Sequence, residues 1–256
     1  MNKILLTIAL ALTSLLARAD VPVYGFEVVN RYPHSKGAFT QGLQFHEGFL
    51  YEGTGQKGRS VLTKSTLEDG EQLMRKRLPS RYFGEGISIV GDRVFQLTWR
   101  ANVVFVYDLN TFETITSHYH PTEGWGLTWN GEHLILSDGS SSLQFIDPET
   151  FALVKKVDVT LNGNSVSNLN ELEYIDGEVW ANVWMSDDIV RIDPDSGEVQ
   201  SVVDLSGLDN LTELGGSGAV LNGIAWIEPT ATSEGRLLVT GKLWGDIFEI
   251  KLQAQP

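Results

Sequence analysis

One pattern occurs five times along this chain. A small or polar residue, usually glycine, is followed by an aliphatic one, a turn and a strand of six. The copies begin at Gln41-Gly42-Leu43, Glu85-Gly86-Ile87, Trp125-Gly126-Leu127, Asn170-Glu171-Leu172 and Asn222-Gly223-Ile224, with spacings of 44, 40, 45 and 52 residues. Repeats of roughly 40 to 50 residues with four short strands each are the mark of β-propeller blades, which bury their faces only by stacking on their neighbours. Five copies predict an all-β, five-bladed propeller.

The rest of the chain agrees with strands. Apolar runs alternate in period two, and no long segment carries apolar residues at helical spacing. Second strands are predicted at Phe49 to Thr54, Val94 to Trp99, Leu134 to Gly139, Val179 to Trp184 and Leu237 to Lys242. Third strands are clearest at Val103 to Tyr107, Leu143 to Ile146, Ile189 to Ile192 and Ile247 to Ile250. Asn130-Gly131, Asp176-Gly177, Gly91-Asp92, Asp147-Pro148 and Asp193 to Gly197 supply the turns. The long fifth spacing is assigned to an extended hairpin loop over Pro229 to Gly235. The last copy runs out of chain after its third strand, while Val23 to Asn30 is a strand-like run before the first copy. An N-terminal strand completing the last blade would remove the open sheet edge between them.

Residues 1–19 read as a signal peptide: Lys3, an apolar run from Ile4 to Leu16, and Ala17-Arg18-Ala19 as the cleavage site. Cleavage near Ala19-Asp20 would leave one exported domain, Asp20 to Pro256, in the periplasm or secreted. No other stretch approaches the length of a membrane span. The absence of cysteine excludes disulfides, thiolate catalysis and thiolate metal sites together. With 33 acidic against 19 basic residues and a net charge of −14, the chain repels nucleic acid and anionic membrane surfaces. A closed ring needs no partner, so a monomer is expected.

The first strand of each blade lines the central channel, so equivalent repeat positions form rings about one axis. The position before the repeat glycine holds Gln41, Glu85, Trp125, Asn170 and Asn222, and the last residue of the second strand is Thr54, Trp99, Gly139, Trp184 or Lys242. One mouth of the channel thereby collects a carboxylate, a lysine, amides and three indoles. Flat apolar walls with a few convergent polar groups are the make-up of a small-ligand pocket. A carboxylate walled by indoles has its pKa raised toward the range of general acid and base work.

On residue chemistry alone, an enzyme, a non-catalytic ligand- or partner-binding propeller and a metal-dependent propeller lactonase all remain open. One Glu and two Asn make a poor ligand set for a strong divalent site, so no metal and no cofactor is expected. His118 and His120 have no third ligand nearby and read as a surface loop. Serine-hydrolase, phosphate-loop and zinc-protease motifs do not occur.

The segments Phe39 to Leu43, Phe83 to Gly86, Leu97 to Trp99, Gly124 to Thr128, Leu169 to Tyr174, Ala181 to Trp184, Leu221 to Ala225 and Val239 to Trp244 resemble the plant and bacterial glutaminyl cyclases. The resemblance spans nearly the whole chain and falls in every blade. It implies a five-bladed enzyme that converts the N-terminal glutamine of peptides or proteins to pyroglutamate and releases ammonia. It further implies Glu85 as proton shuttle, Asn170 and Lys242 as oxyanion donors, and Phe39, Phe83, Trp99, Trp125 and Trp184 as walls. Gln41 would orient the glutamine side chain, and Asn222 only lines the channel.

Overall fold

A computed structural model describes residues 21–255 of the chain, and the signal peptide predicted over residues 1–19 lies outside them. The described residues are strands joined by turns, with one short 3₁₀ turn at Leu208–Leu211. Strand β1 is Val23–Pro33. A four-stranded sheet follows: β2 (Thr40–His46), β3 (Phe49–Thr54), β4 (Val61–Ser65) and β5 (Gln72–Arg77). A second comprises β6 (Gly84–Val90), β7 (Arg93–Thr98), β8 (Val103–Asp108) and β9 (Thr114–Tyr119). The third has β10 (Leu127–Trp129), β11 (Leu134–Leu136), β12 (Ser142–Ile146) and β13 (Leu153–Asp158). After a small hairpin of β14 (Thr160–Leu161) and β15 (Asn164–Ser165) come β16 (Leu169–Ile175), β17 (Glu178–Val183), β18 (Asp188–Ile192) and β19 (Val199–Asp204). The chain ends with β20 (Leu221–Ile227), β21 (Arg236–Gly241) and β22 (Asp246–Ala254).

Strand β1 pairs antiparallel along β22, from Tyr24 opposite Ala254 to Pro33 opposite Asp246. Its first residues also pair parallel with β19, at Val23–Val202 and Tyr24–Val203, which fuses the last two groups into one eight-stranded sheet. The N-terminal strand therefore covers the edge that β22 would expose.

Burial grades outward. Inner strands such as β3 and β7 are buried on both faces, whereas the outer strands β5, β9 and β13 are largely exposed. The apolar clusters lie between neighbouring groups of strands. Tyr51 and Leu62 meet Ile87 and Val94, Phe95 and Leu97 meet Leu127 and Leu134, and Ile135 and Leu143 meet Leu172 and Val190. Ile189 and Val203 then meet Ile224 and Phe248, and Leu238 and Ile247 return to Leu43 and Leu50. Each large side chain buried in this way contributes about 1.5–3 kcal/mol. The first strands follow the same cycle, with β2 beside β6, β6 beside β10, β10 beside β16, β16 beside β20 and β20 beside β2.

The repeat glycine is explained at the axis. A Cβ on Gly86 would collide with Trp125 backbone and Gly126, and one on Gly126 with the backbone of Asn170. The fourth copy carries Glu171 there instead. Its carboxylate fills the centre, accepting the backbone N–H of Leu43 at 3.1 Å and of Ile224 at 2.9 Å.

Three expectations need correction. The 52-residue spacing precedes Asn222, so Pro229 to Gly235 cannot cause it; the extra length lies between β19 and β20, where the 3₁₀ turn forms and Leu214 bridges to Trp244. Strand β11 stops at Leu136 rather than Gly139, because the Ser137 hydroxyl turns to the Asn170 carbonyl and Gly139 takes φ 80°. His118 and His120 are not a surface loop: His118 lies in β9, His120 is buried, and both rings pack on Phe151.

Candidate active site

In four of the five inner strands the pairing register slips at the ring residues. The shifts fall between Thr40 and Gly42, Gly84 and Ile87, Leu169 and Leu172, and Leu221 and Ile224. A bulge bends a strand and re-aims a side chain, here swinging Gln41, Glu85, Asn170 and Asn222 out of the sheet alternation.

Nine side chains line one cavity of about 240 Å³: Phe39, Gln41, Phe83, Glu85, Trp99, Trp125, Asn170, Trp184 and Lys242. These are all nine residues singled out from the sequence, drawn from segments as far apart as Phe39 and Lys242. Asn222 lies behind them, fully buried, its amide donating to the Thr40 carbonyl at 3.0 Å and to Gln41 Oε1 at 3.4 Å. Thr54 and Gly139, which share the second ring, do not line the cavity. Gly139 instead makes room, since a Cβ there would strike the Trp125 ring. Larger cavities, of about 280 and 430 Å³, lie elsewhere, but their linings are mixed polar surface without the aromatic walls.

The walls meet through edge-on and tilted ring contacts. Phe39 meets Phe83 at 6.1 Å, Phe83 meets Trp99 at 5.6 Å, and Trp125 meets Trp184 at 5.4 Å with the rings perpendicular. Such geometries are favoured by the ring quadrupole. Trp184, 38% exposed, forms the lip.

The polar groups are sequestered and unpaired. Glu85 and Lys242 are each 4% exposed and Asn170 2%. Among the described residues, none of the three side chains makes a hydrogen bond or ion pair, and Asn170 Oδ1 is buried without a partner. Lys242 Nζ lies 5.2 Å from the centre of the Phe39 ring. Burial, opposed by the Lys242 charge and assisted by that of Glu123, holds the Glu85 carboxyl well above the usual range. Burial pushes the Lys242 ammonium down to about 8, with Glu85 pulling the other way. Lys242 can therefore exchange a proton near neutrality, and Glu85 holds its proton more firmly than an ordinary carboxyl does. Among the described residues, no group of three or more His, Cys, Asp or Glu side chains could hold a metal ion.

Ring position did not flag Glu123. Its Oε2 accepts from Trp99 Nε1 at 2.7 Å and from Trp125 Nε1 at 3.0 Å, while Oε1 accepts from Arg100 Nε at 2.6 Å.

Known proteins share this architecture. The family model described as glutamine cyclotransferase matches residues 3–252. The glutaminyl-peptide cyclotransferase of Arabidopsis thaliana is 43% identical over 231 residues, covering 89% of this chain and 71% of that protein. The crystal structure of Myxococcus xanthus glutaminyl cyclase superposes with a TM-score of 0.85 and 37% identity, over 93% of this chain and 100% of the other. BamB from Moraxella catarrhalis, 12% identical with a TM-score of 0.50 over 88% of this chain and 97% of its own, shares the fold alone. An all-β transferase is the class that these likenesses define. The chain belongs to the glutamine cyclotransferase family.

Proposed function

We propose that the aromatic cup is the active site of a glutaminyl-peptide cyclotransferase acting on peptides or proteins that begin with glutamine. The observation that carries this reading is the set of unpaired groups. An acid, an ammonium and an amide lie in an indole-walled cavity with no side-chain hydrogen bond or ion pair among the described residues. Burying polar groups unpaired costs free energy unless a ligand completes them.

In the reaction, the substrate's α-amine attacks its own γ-carboxamide carbon. A C–N bond forms to close a five-membered ring, and the bond to the carboxamide nitrogen breaks. Glu85, as carboxylate, accepts the proton lost by the α-amine and returns it to the departing nitrogen, which leaves as ammonia. Lys242 and Asn170 donate toward the γ-carbonyl oxygen as it gains negative charge, where a preorganised donor is worth about 3 kcal/mol. The aromatic walls and Gln41 hold the side chain folded toward the amine, and pre-paid orientation of this kind supplies much of an intramolecular reaction's acceleration.

The fold reading that accompanies this is a five-bladed propeller, supported by the cycle of inner strands and by the apolar clusters between neighbouring groups. The pattern of residues 1–19 supports export, and the chain is taken to act as a monomer without metal. Incubation of the protein with a glutamine-initiated peptide should release ammonia at a rate that chelators leave unchanged. No release, or release abolished by chelation and restored by calcium or zinc, contradicts the reading.

A further inference from the structure

The chain of aromatic contacts around the cup is interrupted once. Phe39, Phe83 and Trp99 touch in sequence, and Trp125 touches Trp184, but no ring contact joins Trp99 to Trp125. Glu123 spans that gap. A single carboxylate oxygen accepts both indole N–H groups, at 2.7 and 3.0 Å, so each ring is held about its own Cβ by a charge-assisted hydrogen bond. The other oxygen takes the Arg100 guanidinium, which itself lies 4.0 Å over the Trp99 ring.

An exposed ion pair between Glu and Arg is ordinarily worth little. Here the arrangement differs, because the carboxylate reaches inward to two walls of the cup while only its far oxygen meets the surface arginine. Burial raises the Glu123 pKa, but hydrogen bonds from Trp125, Arg100 and Trp99, with the Arg100 charge, outweigh it and keep the group below the usual range. The carboxylate is therefore held ionised more firmly than that of an ordinary glutamate.

We propose that Glu123 is a positioning residue of the reaction: its carboxylate clasps the Trp99 and Trp125 indoles in the orientation that holds the substrate glutamine folded. This rests on the cyclotransferase reading of the cup. Glu123 acts through the two indoles, with a weaker electrostatic action on Glu85. The charged groups acting on Glu85 are Lys242 and Glu123, and that acting on Glu123 is Arg100.

The test compares the wild-type protein with Glu123→Ala and Glu123→Gln, using a glutamine-initiated peptide, near-ultraviolet circular dichroism and thermal unfolding. Glu123→Ala releases both indoles, so kcat/KM should fall about ten- to a hundredfold, mostly in kcat, as expected of wall displacements near 1 Å. The aromatic dichroism should change while the unfolding transition stays cooperative. Glu123→Gln keeps an acceptor for the indoles but removes the charge. Its dichroism should stay near wild type, and the acid limb of its pH–rate profile should move to lower pH, because Glu85 ionises more easily without a neighbouring anion. If Glu123→Ala fails to fold, Glu123→Leu, which fills the same space without an acceptor for the indoles, carries the kinetic test in its place. Wild-type kcat/KM and pH profile in the variants, or a loss that only tracks a smaller folded fraction, would overturn the proposal. A wild-type protein inactive on every glutamine peptide would instead overturn the cyclotransferase reading, while the dichroism of Glu123→Ala would still report whether the clasp exists.

Discussion

At the scale of single residues, the cup sets a carboxyl raised by burial against an ammonium lowered by it. An active form with Glu85 ionised and Lys242 protonated gives a bell-shaped dependence of kcat/KM on pH. Its basic limb should lie at about 8, where Lys242 loses its proton. Lys242→Ala should remove that limb and lower kcat on the order of a hundredfold, with a smaller effect on KM, since an oxyanion donor acts in the transition state. An effect confined to KM would make Lys242 a substrate anchor instead. Seven of the nine lining residues were legible from ring position, because in a repeat, register in the chain is position around the axis; Phe39 and Phe83 lie outside both rings and come only from the family resemblance. Glu123 was not legible, since it occupies neither ring position. Its significance depends on two indoles turning their N–H groups to one oxygen, which no spacing rule encodes.

At the scale of elements, inner-strand bulges and a shared turn do most of the local work. Asp108, Asp147 and Asp193 each use Oδ1 to accept two backbone N–H groups in the turn before the outer strand, the latter ones from Thr111, Thr150 and Ser196. Aspartate favours such turns because its side chain mimics a backbone acceptor. The sequence marks the Asp147 and Asp193 turns, though not the Asp108 turn that repeats them, and it shows strand identity, whereas the bulges are invisible in it because they arise from crowding at the axis. The misassigned 52-residue spacing has a similar origin: composition marks Pro229 to Gly235 as a loop, but not which interval it lengthens. Glu171 joins the inner strands of the first and last groups through one carboxylate. Glu171→Ala would leave two buried N–H groups unpaired, and stability to urea should fall by about 2–5 kcal/mol. An unchanged unfolding midpoint would show that the glutamate does not hold the axis together.

At the scale of the whole molecule, a chain with net charge −14 buries Glu85, Glu171 and Glu173, whose carboxyls burial holds above their usual range. Burial, opposed by the Trp226 N–H, carries Glu173 from the ordinary 4.5 to about 8. Across that window the folded state keeps a proton that the unfolded state has released, so this group's contribution to stability is present at low pH and lost as pH rises. Glu173→Gln mimics the protonated form and still offers an acceptor to Trp226. Its melting temperature relative to wild type should therefore climb steadily from about pH 5 to about pH 8; a constant difference would mean that Glu173 does not titrate in that window. In the same molecule the N-terminal strand pairs along β22, and the three polar groups of the cup line one cavity. The most direct measurement is mass spectrometry of a glutamine-initiated peptide incubated with wild-type protein and with folded Glu85→Gln. Wild type should convert the peptide to a product lighter by one ammonia, and Glu85→Gln should do so at least about a hundredfold more slowly. Equal rates would contradict the assignment of Glu85 as the proton shuttle on which the mechanism depends.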